Sequence, residues 1–175
     1  MDFTQFIRTI PDYPKPGIMF RDITTLIAHP EGLSAAIEAL AAQFSQANID
    51  VVAGIEARGF IIGGAIAQAL ATGFIPVRKQ GKLPWKTHGE DYQLEYGADR
   101  LEIHQDAIDQ QARVLLIDDL IATGGTAIAA ASLITRAGGI VVGAGFLVDL
   151  PDLGGTVKLA AKDIPVHALC AFEGD

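Results

Sequence analysis

Val114-Leu115-Leu116-Ile117 is an unbroken apolar run, partly β-branched and without polar alternation, the pattern of a strand covered on both faces in a parallel sheet. Comparable runs occur at Val51 to Ile55, Phe74 to Val77, Ile140 to Val148 and Val166 to Ala171. Between them lie segments with helical character. Leu33, Ile37, Leu40, Ala41 and Phe44 form one stripe of an amphipathic helix reaching about Ala47. Phe60 to Ala71 is rich in Ala, Ile and Gly, and Gly73 ends it; Ala127 to Arg136 is a good helix stopped by Gly138-Gly139. Leu153 to Lys162 is loosely helical or a turn. Strands alternating with helices predict an α/β fold, a parallel twisted sheet of about five strands flanked by helices.

Two stretches depart from that alternation. Ile10 to Gly17 holds Pro11, Pro14 and Pro16 and cannot be regular helix, so it is an extended arm. In the following Ile18 to Ile27, Phe20 interrupts an aliphatic pattern beside Arg21 and Asp22, which by residue type alone reads as a core aromatic next to a surface ion pair. From Lys79 to His104 the chain is polar and too long for a simple connection, which suits a binding loop. Tyr92 to Tyr96 and Arg100 to His104 read as short strands around Gly97-Ala98-Asp99, a hairpin lid. With no internal repeat or Gly/Ser linker, residues 1–175 are expected to form one domain, with 1–30 as a small N-terminal hood and 79–104 as the mobile lid.

Composition narrows the partners. A formal charge of −8 disfavours a broad nucleic-acid surface, so an anionic substrate must be held by local geometry. Arg58, Arg78, Lys79, Lys82 and a bound metal are the candidates for that work. The single cysteine, Cys170, excludes an intramolecular disulfide, and no apolar run approaches the roughly 20 residues of a membrane span. Nor does Met1 to Gln5 begin a secretory signal, so a cytoplasmic protein is expected. The four histidines lack metal-ligand spacing and read, like Cys170, as structural. Gly143-x-Gly145 lacks the third glycine of a dinucleotide fingerprint.

The chemistry concentrates after Ile117. Asp118 and Asp119 end a buried run, where they belong at a carboxyl edge with cation or hydroxyl partners. Ala122-Thr123-Gly124-Gly125-Thr126 then supplies small side chains, two hydroxyls and two glycines directly before a helix start, so that backbone amides can converge on an anion. A phosphate held by amides, with vicinal hydroxyls bonded to two carboxylates, points to a phosphorylated sugar. A second strand ends in Glu56-Ala57-Arg58-Gly59, where Glu56 and Arg58 could be no more than an ion pair.

Val114 to Thr126 resembles the thirteen-residue phosphoribosyl pyrophosphate (PRPP) motif of the type I phosphoribosyltransferases. Gly17 to Ile23 is similar to the base-recognition segment of the adenine phosphoribosyltransferases within them, Gly54 to Phe60 to their pyrophosphate-contact loop, and Arg78 to Pro84 with Leu94 to Gly97 to their mobile loop. The resemblance, which covers nearly the whole chain, implies the type I phosphoribosyltransferase fold and transfer of the 5-phosphoribosyl group from PRPP to N9 of adenine, giving AMP and pyrophosphate in purine salvage. It implies that Phe20 stacks on adenine while backbone groups of Met19 and Arg21 meet its edge. Ala122, Thr123, Gly124, Gly125 and Thr126 would hold the 5-phosphate, and Asp118 and Asp119 the ribose hydroxyls. Arg58, Arg78, Lys79 and Lys82 would contact PRPP and its pyrophosphate, and Glu95 would assist proton transfer at the base. Asp118 or Asp119 would also stabilise positive charge at the anomeric carbon, without the resemblance apportioning that role. Further implications are a cis peptide at Glu56-Ala57, a homodimer, and Mg²⁺ held mainly by substrate and water with no direct protein ligand.

Two other readings remain open at this stage. A regulator could keep the fold to sense PRPP, though neither a basic surface nor a spare N-terminal segment accompanies it; PRPP binding without pyrophosphate release would identify one. An enzyme of the same class could instead take hypoxanthine, guanine or xanthine.

Overall fold

In the computed structural model, which describes residues 1–94 and 97–174, the apolar runs become a seven-stranded sheet. The chain starts with a hairpin of β1 (Arg8–Pro11) and β2 (Met19–Asp22), followed by α1 (Thr24–Ala28) and α2 (Pro30–Gln43). β3 (Val51–Ile55), α3 (Arg58–Ala69) and β4 (Gly73–Lys79) lead to β5 (Thr87–Leu94) and β6 (Gly97–His104). β7 (Arg113–Ile121), α4 (Gly125–Arg136), β8 (Ile140–Asp149), α5 (Gly155–Ala160) and β9 (Val166–Ala171) complete it.

The strand order is β5-β6-β4-β3-β7-β8-β9. β4, β3, β7, β8 and β9 are mutually parallel, the five strands expected from their apolar runs. β6 joins antiparallel to β4, through Arg78↔Glu102 and Lys79↔Leu101, and carries β5 with it. Strands β5 and β6 are longer than Tyr92–Tyr96 and Arg100–His104. Leu94 pairs with Gly97 and Tyr92 with Asp99, so Gly97 to Asp99 stand in the ladder rather than in a turn.

Two apolar layers cover the sheet. On one side α4 contributes Ala127, Ala130, Ala131, Leu133 and Ile134; on the other, α2 and α3 bring Ile37, Leu40, Ile62 and Ile66. Close approach explains the glycines of β8. A Cβ at Gly145 would lie 2.8 Å from Ile117 Cδ1 and 3.2 Å from Phe44 Cε2, so a larger residue there would force the α2 side away from the sheet. α2 begins with Pro30 at its first position, and the His29 imidazole accepts from the Gly32 amide (3.1 Å), which fixes its start three residues before Leu33. α1 has only five residues, too few to leave a periodic signal.

Arg113 anchors the front of β7. Its guanidinium donates to Ala47 O (2.9 and 3.1 Å) and Asn48 O (3.0 Å), satisfying carbonyls after α2. Arg113→Ala is expected to lower stability by about 2 kcal/mol, because charge-assisted bonds to otherwise unpartnered carbonyls are lost. A urea midpoint unchanged from wild type would contradict this.

Candidate active site

The sequence runs β3, α3, β4 to one side of β3 and then returns to place β7 on its other side. The crevice at the carboxyl ends of β3 and β7 is therefore the topological switch point, the usual ligand position in such sheets. A cavity of about 460 Å³ opens there. Asp118, Asp119 and the whole Ala122 to Thr126 loop line it, with Arg58 from α3 and Lys15 and Ile18 from the N-terminal arm.

The loop is shaped by Gly124, whose φ of 81° is left-handed, and α4 starts immediately after it. The first turn of this twelve-residue helix, with Gly125, Thr126 and Ala127, lines the cavity, where helix-start amides carry partial positive charge. Behind the loop, Gly155 at the start of α5 donates its amide to Ala122 O (3.0 Å), and Lys158 Nζ to Thr123 O (2.8 Å). The cradle is braced by its own carbonyls.

Asp119 is buried, and Arg58 Nε donates to its Oδ2 (2.6 Å). Asp118 Oδ1 accepts the Asp119 amide (2.8 Å). A Cβ at Gly59 would approach Asp118 Oδ1 to 2.9 Å, so the first turn of α3 presses directly on that carboxyl. Enclosure, followed by the neighbouring charge of Asp119, pushes the Asp118 carboxyl well above the usual carboxylate range. The two acids thus have different partners, a guanidinium for Asp119 and a backbone amide for Asp118.

Glu56 and Arg58 are not paired with each other. Arg58 goes to Asp119, while Arg78 Nε and Nη2 reach the two oxygens of Glu56 (3.2 Å each) and the Lys79 amide donates to Glu56 Oε2 (3.0 Å). Burial works against ionisation of Glu56, but these donors keep its carboxyl below its ordinary range. The Glu56-Ala57 peptide is cis. Arg78, Lys79 and Lys82 form a neighbouring cluster outside the cavity lining: Arg78 Nη1 donates to Lys82 O (3.1 Å), and Lys79 Nζ lies 3.2 Å from Asp99 Oδ2.

On the arm, Phe20 lies edge-on to Tyr13 (5.1 Å between ring centres) with the Arg58 guanidinium 5.8 Å from its ring centre, so β2 reaches the crevice. Arg21 donates to Thr9 Oγ1 (2.7 Å) and covers the Phe172 ring at 4.3 Å. Its sequence neighbour Asp22 pairs with Arg8 instead (Nε to Oδ2, 3.1 Å), because antiparallel register places them opposite each other. Met19 is exposed. Glu95 lies outside the described residues.

Lys15 went unassigned in sequence, since a lone base between prolines carries no motif, and Ile18 was given no role of its own within Gly17 to Ile23. Tyr92 was read only as a strand residue, although it is buried with its hydroxyl donating to Asp99 Oδ2 (3.3 Å). Among the described residues, no three His, Cys, Asp or Glu side chains gather as a metal site, and no helix is long and apolar enough to cross a membrane.

Residues 23–163 match the family described as phosphoribosyl transferase domain. An adenine phosphoribosyltransferase of Parvibaculum lavamentivorans is 63% identical over 174 residues, 99% of each chain. The crystal structure of adenine phosphoribosyltransferase from Rhodothermus marinus, 54% identical, superposes with a TM-score of 0.91 over 97% of this chain and 96% of that one. The Saccharomyces cerevisiae enzyme, complexed with an imino-altritol bisphosphate and adenine, is 36% identical with a TM-score of 0.88, covering 95% and 98% of the two chains.

Proposed function

Since the chain belongs to the adenine phosphoribosyltransferases of the phosphoribosyl transferase family, we infer that it carries the 5-phosphoribosyl group of PRPP to adenine, releasing pyrophosphate and forming AMP in purine salvage. The observation that supports the site assignment most is the shared cavity: amides and hydroxyls of Ala122 to Thr126 at one end, Asp118, Asp119 and Arg58 at the other. That spacing of donors and acceptors suits a sugar phosphate better than a bare anion.

In this reading the Thr123 and Thr126 hydroxyls and the loop amides bind the 5-phosphate. Asp118 and Asp119 accept from the ribose hydroxyls and offset positive charge as the anomeric carbon loses its leaving group. No side chain forms a covalent bond; the chain aligns the reactants and stabilises developing charge. Arg58 would exchange Asp119 for a pyrophosphate oxygen, with Arg78, Lys79 and Lys82 approaching from the β4 end. Glu95 is proposed to assist the proton leaving adenine. The hairpin, with the hood, excludes water from a labile donor.

Among the described residues no side-chain cluster forms a metal cage, which suits a Mg²⁺ that would take its ligands from PRPP and water beside the Asp118 and Asp119 carboxylates. Such an ion would supply positive charge to offset the negative charge on the departing pyrophosphate. A cytoplasmic homodimer is proposed with this assignment, and its mass is open to light scattering.

Pyrophosphate release measured with PRPP, Mg²⁺ and adenine, hypoxanthine, guanine or xanthine in turn tests the reading. Turnover with adenine is expected, and failure to consume adenine removes it. Phe20→Ala should raise the adenine KM about ten- to a hundredfold, the worth of one aromatic stacked on one base, with little change in the PRPP KM. An unchanged adenine KM in a folded variant would refute the stacking role.

A further inference from the structure

β4 runs into a tight turn over residues 79–82 that carries Lys82, the cation expected at pyrophosphate, and each amide in it has its own acceptor. The Lys79 amide donates to Glu56 Oε2 (3.0 Å), the Gln80 amide to Arg100 O (3.1 Å) and the Lys82 amide back to Lys79 O (3.3 Å). Gly81, whose φ of 75° is left-handed, donates its amide to Glu102 Oε2 on β6 (3.0 Å). Glu102 stands opposite Arg78 in the short ladder between β4 and β6, and its side chain is only 12% exposed. Its other oxygen lies 4.0 Å from Arg100 Nε, but Arg100 has a closer partner in Asp91 (2.8 Å), so the turn amide is the nearer of these two contacts of the carboxylate. The turn connects onward to the crevice: Arg78 holds Lys82 O (3.1 Å) and also Glu56, two residues before the cavity-lining Arg58.

We infer that Glu102 is a positioning residue for the pyrophosphate end of PRPP, its carboxylate fixing the Gly81 amide and with it the turn that presents Lys82. The inference rests on the assigned reaction and on Lys82 meeting pyrophosphate, but concerns a side chain that acts through the turn rather than on the substrate. A negative charge near a polyanion site works against binding, so the worth of an acid here lies in accepting the turn amide. Without that acceptor the left-handed turn loses its anchor on β6, and Lys82 engages pyrophosphate only after the backbone is ordered again.

Glu102→Leu keeps similar bulk and removes the acceptor. Its affinity for PRPP, measured by titration, should fall about tenfold, the effect of one lost charge-assisted hydrogen bond, and its affinity for pyrophosphate likewise. AMP, which lacks the pyrophosphate group, should bind as it does to the wild type. Glu102→Gln retains an oxygen for the Gly81 amide and drops the charge, so it should bind PRPP at least as well as the wild type. Combining Glu102→Leu with Lys82→Ala should add little to the larger single effect, because both remove the same contact. Glu102→Ala is read in the same way if Glu102→Leu does not fold. Wild-type PRPP affinity in Glu102→Leu, an equal loss for AMP, a Glu102→Gln as weak as Glu102→Leu, or strict additivity with Lys82→Ala would each overturn the inference. If the wild-type protein released no pyrophosphate with any purine, the assigned reaction would fail; titration with pyrophosphate would still judge Glu102, since equal binding by wild type and Glu102→Leu rejects it.

Discussion

Asp118→Asn should melt at a higher temperature than the wild type at neutral pH while turning over about a hundred- to a thousandfold more slowly. The carboxyl is enclosed and stands beside Asp119, so its folded-state pKa lies well above the ordinary value of 3.8. The folded chain then binds the Asp118 proton more tightly than the unfolded chain. Its contribution is most favourable below about pH 4 and is lost as pH rises through the folded-state pKa, where the charged form becomes costly. Asparagine keeps the oxygen that accepts the Asp119 amide and drops the charge. The gain should be about 1 kcal/mol or more, a few degrees in Tm for a chain of this size, and should vanish near pH 4. The rate loss follows from removing a fixed negative group at the developing cation. Calorimetry at pH 4 and pH 7.5 beside kcat checks both halves. A variant less stable at neutral pH, or as active as the parent, would contradict the account.

Gly124→Ala should damage PRPP binding more than any substitution on the outer face of α4. Its φ of 81° costs a residue with a Cβ about 1–2 kcal/mol. The new methyl would also sit 2.9 Å from Gly155 Cα and 3.1 Å from Gly155 O, backbone atoms that cannot rotate away. The loop, the α5 start or both must shift, and the amides that face the cavity shift with them. A PRPP affinity at least about tenfold weaker is expected by titration, with stability lower by about 2–4 kcal/mol. Wild-type affinity would mean that the left-handed turn does not shape the phosphate site.

The contiguous features were legible in sequence. Val114 to Arg136 carries a buried run, two acids, a glycine loop and a helix in register with one another, and each part follows from its immediate neighbours. The five parallel strands were readable for the same reason. What escaped was decided across the chain. Glu56 meets Arg78 rather than Arg58, and Asp22 meets Arg8 rather than Arg21, because β4 and β1 lie alongside only after folding. Arg136 meets Gly89 and Glu90 for a similar reason, since β5 comes to lie on α4 only in the folded chain. Charge type could be read from the residues, whereas charge partner depended on topology.

The hairpin is unevenly attached to the sheet. Eight residue pairs join β5 to β6, but only two join β6 to β4. Any swing that admits PRPP should pivot at Arg78 and Lys79, with the two strands travelling as a stiff ribbon. Such a ribbon surrenders little chain entropy each time it settles, so the resting position is governed by a few reversible latches along α4.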